Sequence, residues 1–337
     1  MTASDGLAVS THGLRKAYGR VIALDGLDLA GPAGVGYGFL GPNGAGKTTT
    51  IRCLLGLIHP DTGSMSLLGQ PYTGHDRHRL FDVGALIESP SFYPYLSGRN
   101  NLNVIASTGP AARPGRIDEV LELVDLTARA DDRVQTYSLG MRQRLGIAAA
   151  LLNDPRLLIL DEPANGLDPA GIHALRTTLR RLVEESARTI LVSSHILPEV
   201  QLLADVVGII NHGKLVYQGA LDELLHRSGS VRVRVATSEV GAAVAALGGL
   251  AGPEDVAVQA VDDETEPQRW IEVRVAADRA REVNHALADR GVYASGLAAG
   301  SDLESIFLEL TGGPLSAIGE GAGTPRAADA TDREAGR

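Results

Sequence analysis

The stretch Gly41-Pro42-Asn43-Gly44-Ala45-Gly46-Lys47-Thr48-Thr49 decides how the rest of the 337 residues are read. Glycines at 41, 44 and 46 let the backbone curl so that successive N–H groups point inward, and an apolar helical pattern begins at Lys47. Amide donors converging at a helix N-terminus make an anion cradle. Lys47 is one of only three lysines (16, 47 and 214), and it falls where a side chain must reach terminal phosphates. Thr48 follows with a hydroxyl that can sit on Mg²⁺. A chance glycine-rich turn is the competing reading in a chain with 40 glycines, but it would not demand that lysine. A short buried strand is expected at Gly36–Leu40 and a helix over 47–58, the strand, turn, helix order that a phosphate-binding turn needs.

Outward from the cradle, Leu157-Leu158-Ile159-Leu160 is an unbroken aliphatic run ending in Asp161-Glu162-Pro163. Such a run suits a central parallel strand buried on both faces. Its two carboxylates then lie at the carboxyl edge of the sheet, where ligands bind in open α/β folds. There Asp161 can bind Mg²⁺ through water and Glu162 can orient and polarise an attacking water. Thr189–Ser194 is a further strand, with His195 at its carboxyl end. A histidine so placed can contact a γ-phosphate or the attacking water, although taken alone it reads first as a satisfied core residue. Ser138 is placed to cap the helix that starts after Tyr137, and with Gly140 it offers a second helix N-terminus. By itself that pair fits a capped structural helix better than an anion site. Tyr18, in the turn between strands at Leu7–Ser10 and Val21–Leu29, fits equally a base-stacking position and a sheet-edge packing one.

Composition sets the outer limits. The formal charge of −10, from 31 basic and 41 acidic residues, argues against a nucleic-acid surface. Cys53 is the single cysteine, among Ile51, Leu54 and Leu55, and reads as buried filler in a reducing compartment. No run approaches the roughly 20 apolar residues that span a bilayer, so a membrane role is expected to come through a partner. Residues 102 to about 129 carry helical spacing and form an α-rich insert between sheet strands. From about Leu221 the pattern changes to two β-α-β halves, expected as a small ferredoxin-like domain with a final helix at Leu303–Leu310. Beyond Gly312 apolar periodicity ceases, and the tail to Arg337 is expected to be disordered.

Taken together, residues 5–225 resemble the nucleotide-binding subunit of an ABC transporter, with five motifs in order. Tyr18 matches the adenine-stacking aromatic, Gly41–Thr49 the Walker A motif, and Leu157–Glu162 the Walker B strand with its glutamate. Gly166–Asp168 matches the D-loop and His195 the switch histidine. The signature Leu-Ser-Gly-Gly-Gln reads Tyr137-Ser138-Leu139-Gly140-Met141 here, and Glu88 stands where the family has its Mg²⁺-contacting glutamine. The segments Leu-Ile-Glu-Ser-Pro, Ser-Ser-His-Ile-Leu and Asn-Gly-Leu-Asp-Pro resemble the bacitracin and lantibiotic export branch. Daunorubicin-type export ATPases carry a C-terminal extension of similar size.

The resemblance implies a P-loop α/β ATPase domain over 1–225, with a helical subdomain at about 89–155, and a ferredoxin-like α+β domain over 226–312 before a tail at 313–337. It implies ATP bound by Tyr18, Gly41, Pro42, Asn43, Gly44, Ala45, Gly46, Lys47, Thr48 and Thr49, with Mg²⁺ on Thr48, Asp161 and Glu88. Glu162, His195 and Lys47 become the catalytic groups. Ser138 and Gly140 would close over the ATP of a second, head-to-tail copy. The implied partner is an integral-membrane exporter of an antimicrobial peptide or drug, with this subunit at the cytoplasmic face, and Ser89–Tyr95 is expected to touch it. Two other classes fit the same motifs: a soluble ATP-driven factor, which usually carries two such cassettes, and a low-turnover ATP-sensing module.

Overall fold

The computed structural model describes residues 6–87, 90–109, 113–186, 188–227, 230–258, 267–275, 277–299 and 303–312. Its organising strand is β7 (Leu157–Asp161), which pairs in parallel with β6 (Val83–Ile87) on one side and β8 (Thr189–Ser194) on the other. All five residues of β7 are buried. Period-2 geometry sends them alternately to two cores, which explains the unbroken aliphatic run. Leu157 and Ile159 enter a cluster with Ile51, Cys53 and Leu54, while Leu158 and Leu160 enter one with Leu121, Leu145 and Leu179.

The complete sheet has six strands in the order β10-β9-β3-β8-β7-β6. Here β3 is Gly36–Leu40, β9 is Val206–Asn211, and β10 (Lys214–Ala220) closes the edge antiparallel to β9. A second, antiparallel sheet has the order β2-β1-β4-β5, from β1 (Leu7–Tyr18), β2 (Val21–Pro32), β4 (Thr62–Leu67) and β5 (Gln70–Tyr72). Strand β1 continues well past Ser10, where the sequence reading stopped, because register shifts between Thr11 and Leu14 absorb the break at Gly13. Helix α1 (Lys47–Leu54) packs in the core shared by the two sheets. It ends earlier than expected, since Gly56 takes a left-handed φ of 65° just beyond it.

The insert after β6 contains α2 (Gly98–Ala106), α3 (Arg116–Leu123) and α4 (Leu139–Ala150), so the expected α-rich subdomain is present as separate short helices. Arg116, only 4% exposed, pins two of them together. Its Nη2 donates to the Leu151 carbonyl at 2.6 Å and to Asp154 at 3.0 Å, just past the C-terminal end of α4. A cation there satisfies orphan carbonyls and meets the negative pole of the helix. Helix α5 (Pro169–Ser186) covers the same face of the parallel sheet, and the five-residue α6 (Leu197–Gln201) follows β8.

The chain leaves the six-stranded sheet through α7 (Leu221–Arg227). Beyond it, β11 (Val231–Ala236), α8 (Val240–Ala251), β12 (Val256–Val258), β13 (Gln268–Val273), α9 (Ala280–Ala288) and β14 (Gly296–Ala299) follow in sequence. Their antiparallel sheet has the order β12-β13-β11-β14, the ferredoxin-like arrangement expected from two β-α-β halves. Val231, Val233 and Val235 face its core. On the other face the Trp270 ring lies 6.0 Å from the Arg232 guanidinium and 5.5 Å from that of Arg234. The last helix, α10 (Leu303–Thr311), packs with α6 and the parallel sheet, through Leu303, Ile306 and Phe307. The tail at 313–337 lies outside the described residues.

Replacing Arg116 by methionine leaves the carbonyls of Leu151 and Leu152 without their buried donor, and is expected to lower unfolding stability by about 2–3 kcal/mol. A urea titration of the purified variant measures it. An unchanged midpoint would show that the guanidinium contributes nothing net.

Candidate functional site

The cradle is built where β3 stops and α1 begins. Gly46 caps α1 at φ 112° with no side-chain acceptor, and no acid stands in the first turn, which leaves the first-turn amides for a ligand. A Cβ at Gly46 would come within 2.6 Å of the Ala23 carbonyl, so only glycine fits. Lys47 is 5% exposed and its ammonium donates to the Gly41 carbonyl at 2.7 Å and the Pro42 carbonyl at 3.3 Å. It also sits 3.5 Å from Glu162 Oε1. Burial pushes the Lys47 pKa down, and the Glu162 and Asp161 carboxylates oppose that shift.

Asp161 and Glu162 stand at the end of β7, as the sequence reading requires, and the adjoining strand holds both. The parallel register sets Asp161 opposite Ser193. The Ser193 hydroxyl donates to Asp161 Oδ1 and accepts from the Glu162 N–H at 3.0 Å, while the Ser193 carbonyl accepts from the same N–H at 3.1 Å. That double anchor holds Glu162 at φ 49°, a left-handed conformation that costs an L residue about 1–2 kcal/mol. It turns the side chain between Lys47 and His195. Glu162 Oε2 lies 2.6 Å from His195 Nδ1 but outside hydrogen-bonding direction, since Nδ1 has no directed acceptor. Glu162 therefore lies between the Lys47 ammonium and the His195 ring, with Asp161 beside it.

Ser193 is absent from the sequence-derived site. Its only signal is a hydroxyl residue at the carboxyl end of a strand neighbouring β7, and that neighbour relation is not written locally.

The remaining residues fall elsewhere. Tyr18 ends β1 at 49% exposure, and Lys16 Nζ is 5.7 Å from its ring centroid. Ser138 is the N-cap of α4, accepting from the Met141 N–H at 3.2 Å. A methyl built on Gly140 would have Leu167 at 3.8 Å, and Ser138 and Gly171 in the first turn of α5 at 3.9 Å, as its nearest neighbours. The start of α4 thus lies beside Leu167 of the same chain. Glu88 and Ser89 lie outside the described residues.

For Mg²⁺ the donor set is one hydroxyl, Thr48, and one buried carboxylate, Asp161. Among the described residues no group of three or more His, Cys, Asp or Glu side chains gathers. A cation that keeps waters and takes phosphate oxygens needs no such cluster, so these residues fit it.

An amide cradle, a buried lysine and two strand-end carboxylates define a P-loop ATPase. Residues 24–165 match the family model for the ABC transporter. The bacitracin transport ATP-binding protein BcrA of Bacillus licheniformis is 46% identical over 220 residues, covering 65% of this chain and 72% of that protein. Nod factor export ATP-binding protein I of Ralstonia nicotianae is 36% identical over 313 residues, covering 90% and 94%. The structure of cbiO1 from Clostridium perfringens, part of an ABC transporter complex, superposes with a TM-score of 0.61 at 24% identity, covering 65% of this chain and 90% of that one. This chain belongs to the ABC transporter ATP-binding proteins. Its domain binds ATP, its reaction is ATP hydrolysis coupled to transport, and subunits of the family work with membrane transporter components. Among the described residues no helix is long and apolar enough to cross a membrane.

Changing Ser193 to alanine removes the hydroxyl shared by Asp161 and Glu162, and is expected to reduce ATP turnover by about 10–100-fold. Phosphate release by the purified chain measures this, and a rate within two-fold of the parent would exclude a positioning role.

Proposed function

We propose that the chain energises export of an antimicrobial peptide or drug, through two copies that close head to tail over ATP and Mg²⁺. The observation that carries the catalytic reading is the Lys47–Glu162–His195 grouping beside Asp161. In it Lys47 exchanges the Gly41 and Pro42 carbonyls for oxygens of the terminal phosphate. Glu162, held by Ser193, orients a water in line with the γ-phosphate and takes up its proton as attack proceeds. His195 steadies the same carboxylate and contacts the departing phosphoryl oxygens. Thr48 and Asp161, with Glu88 at the usual glutamine position, would hold Mg²⁺, which when bound would neutralise charge on the phosphate oxygens. Tyr18 offers its exposed ring to the adenine, and the backbone of Gly41–Gly46 encloses the phosphates.

Gly140 supports the dimer reading. Its own chain leaves room for a methyl, so any demand for glycine there comes from outside the subunit. In a head-to-tail pair, the α4 N-terminus with Ser138 and Gly140 covers the ATP on the other copy's cradle. Docking to the membrane subunit falls to the segment ending at Tyr95, where Tyr93 and Tyr95 are both exposed. That contact keeps the protein at the cytoplasmic face, the ATPase unit ends near residue 225, and the net acidity leaves no role for nucleic acid. The peptide cargo follows the bacitracin relative, and export follows the Nod factor relative.

Glu162→Gln is expected to slow turnover by about 10²–10⁴-fold while ATP affinity is retained. Parallel hydrolysis and nucleotide-binding assays test this, and near-normal hydrolysis would remove the glutamate from the mechanism. Gly140→Ala should fold and melt like the parent yet lose ATP-dependent dimerisation, as read by light scattering in the Glu162→Gln background. Dimerisation at the parent's ATP concentration would count against the sandwich.

A further inference from the structure

The chain leaves the ATPase core through α7 and returns to it through α10, and both segments meet the short helix that follows His195. Helix α6 has five residues, a proline in its first turn and no side-chain cap. So short a helix has no stability of its own and takes its place from what it packs on. One side lies directly on β3, where a Cβ at Gly38 would collide with Val200. The same Val200, with Leu197, shares a single buried cluster with Leu221 and Leu224 of α7 and with Leu303, Ile306 and Phe307 of α10. Phe307 is 2% exposed, and Asn211 Nδ2 donates to the Thr311 carbonyl at 3.1 Å, tying the end of α10 to the end of β9.

Among the described residues His195 Nδ1 has no directed acceptor, and the backbone after it is fixed by the Ser194 hydroxyl, which accepts from the Ile196 N–H at 2.9 Å, and by α6 itself. We propose that α10 is a positioning element for hydrolysis, with Phe307 acting through α6 to hold His195 against Glu162. The inference rests on the role given above to His195. Helix α10 follows β14, which ends at Ala299, so the element that positions His195 is next in sequence to the C-terminal sheet.

The test is a double-mutant cycle on the full chain with Phe307→Ala and His195→Ala, following hydrolysis and ATP affinity. Phe307→Ala is expected to lower turnover by about 10-fold with ATP affinity unchanged, as for a displaced catalytic group, and to have no further effect once His195 is alanine. Phe307→Leu, which keeps most of the buried volume, should restore most of the rate. If Phe307→Ala does not fold, Asn211→Ala carries the same cycle, since it cuts only the tie to Thr311, and a smaller loss that also vanishes with His195→Ala is expected. Equal fractional losses in both backgrounds, or a matching loss of ATP affinity, would overturn the inference alone. A His195→Ala chain with parental turnover would remove the histidine's role and the inference with it.

Discussion

A lysine ammonium buried to 5% exposure is the constraint on which the catalytic edge depends. Desolvation drives the proton off such a group, and only partners arranged in advance keep it charged. Two carbonyls of the cradle and the carboxylate of Glu162 surround Lys47, so the glycine-rich turn must curl back on itself and β7 must end beside it. In the proposed reaction an arriving phosphate would replace carbonyl dipoles with full negative charge. The ammonium would already be desolvated at that moment, the pre-organisation that makes charge stabilisation effective in a low-dielectric site.

The second element of the edge is a matter of register. Parallel pairing sets Asp161 beside Ser193 and, one residue on, brings the Glu162 N–H onto both oxygens of Ser193. A slip of one position would send every side chain of β7 to the wrong core and would separate the acids from their anchor. The aliphatic residues that fill the two cores therefore also aim the carboxylates. Packing and chemistry are specified by the same five residues.

This explains which parts were legible in the sequence. The cradle, the acid pair, the Ser138 cap and the β-α-β-β-α-β order rest on local patterns, namely glycine spacing, an aliphatic run, a capping hydroxyl and a change of periodicity. Ser193 was not legible, because its role comes from a strand partner 32 positions away. The end of α1 was missed for a nearer reason: apolar residues continue past Leu54, and Gly56 stops the helix despite them. Helix α10 was recognised as a helix from its own sequence. Its packing on α6 was not, since nothing in residues 303–311 says which of two cores they join.

The Trp270 ring beside Arg232 and Arg234 has a practical consequence. It is the only tryptophan in the chain, and it stands on the ferredoxin-like sheet, on strands remote in sequence from the cradle. Indole emission from this protein therefore originates in its C-terminal domain alone. The molecule carries its own optical label on a sheet apart from the glycine-rich cradle, and spectral changes on adding ATP would be a direct readout of communication between the two.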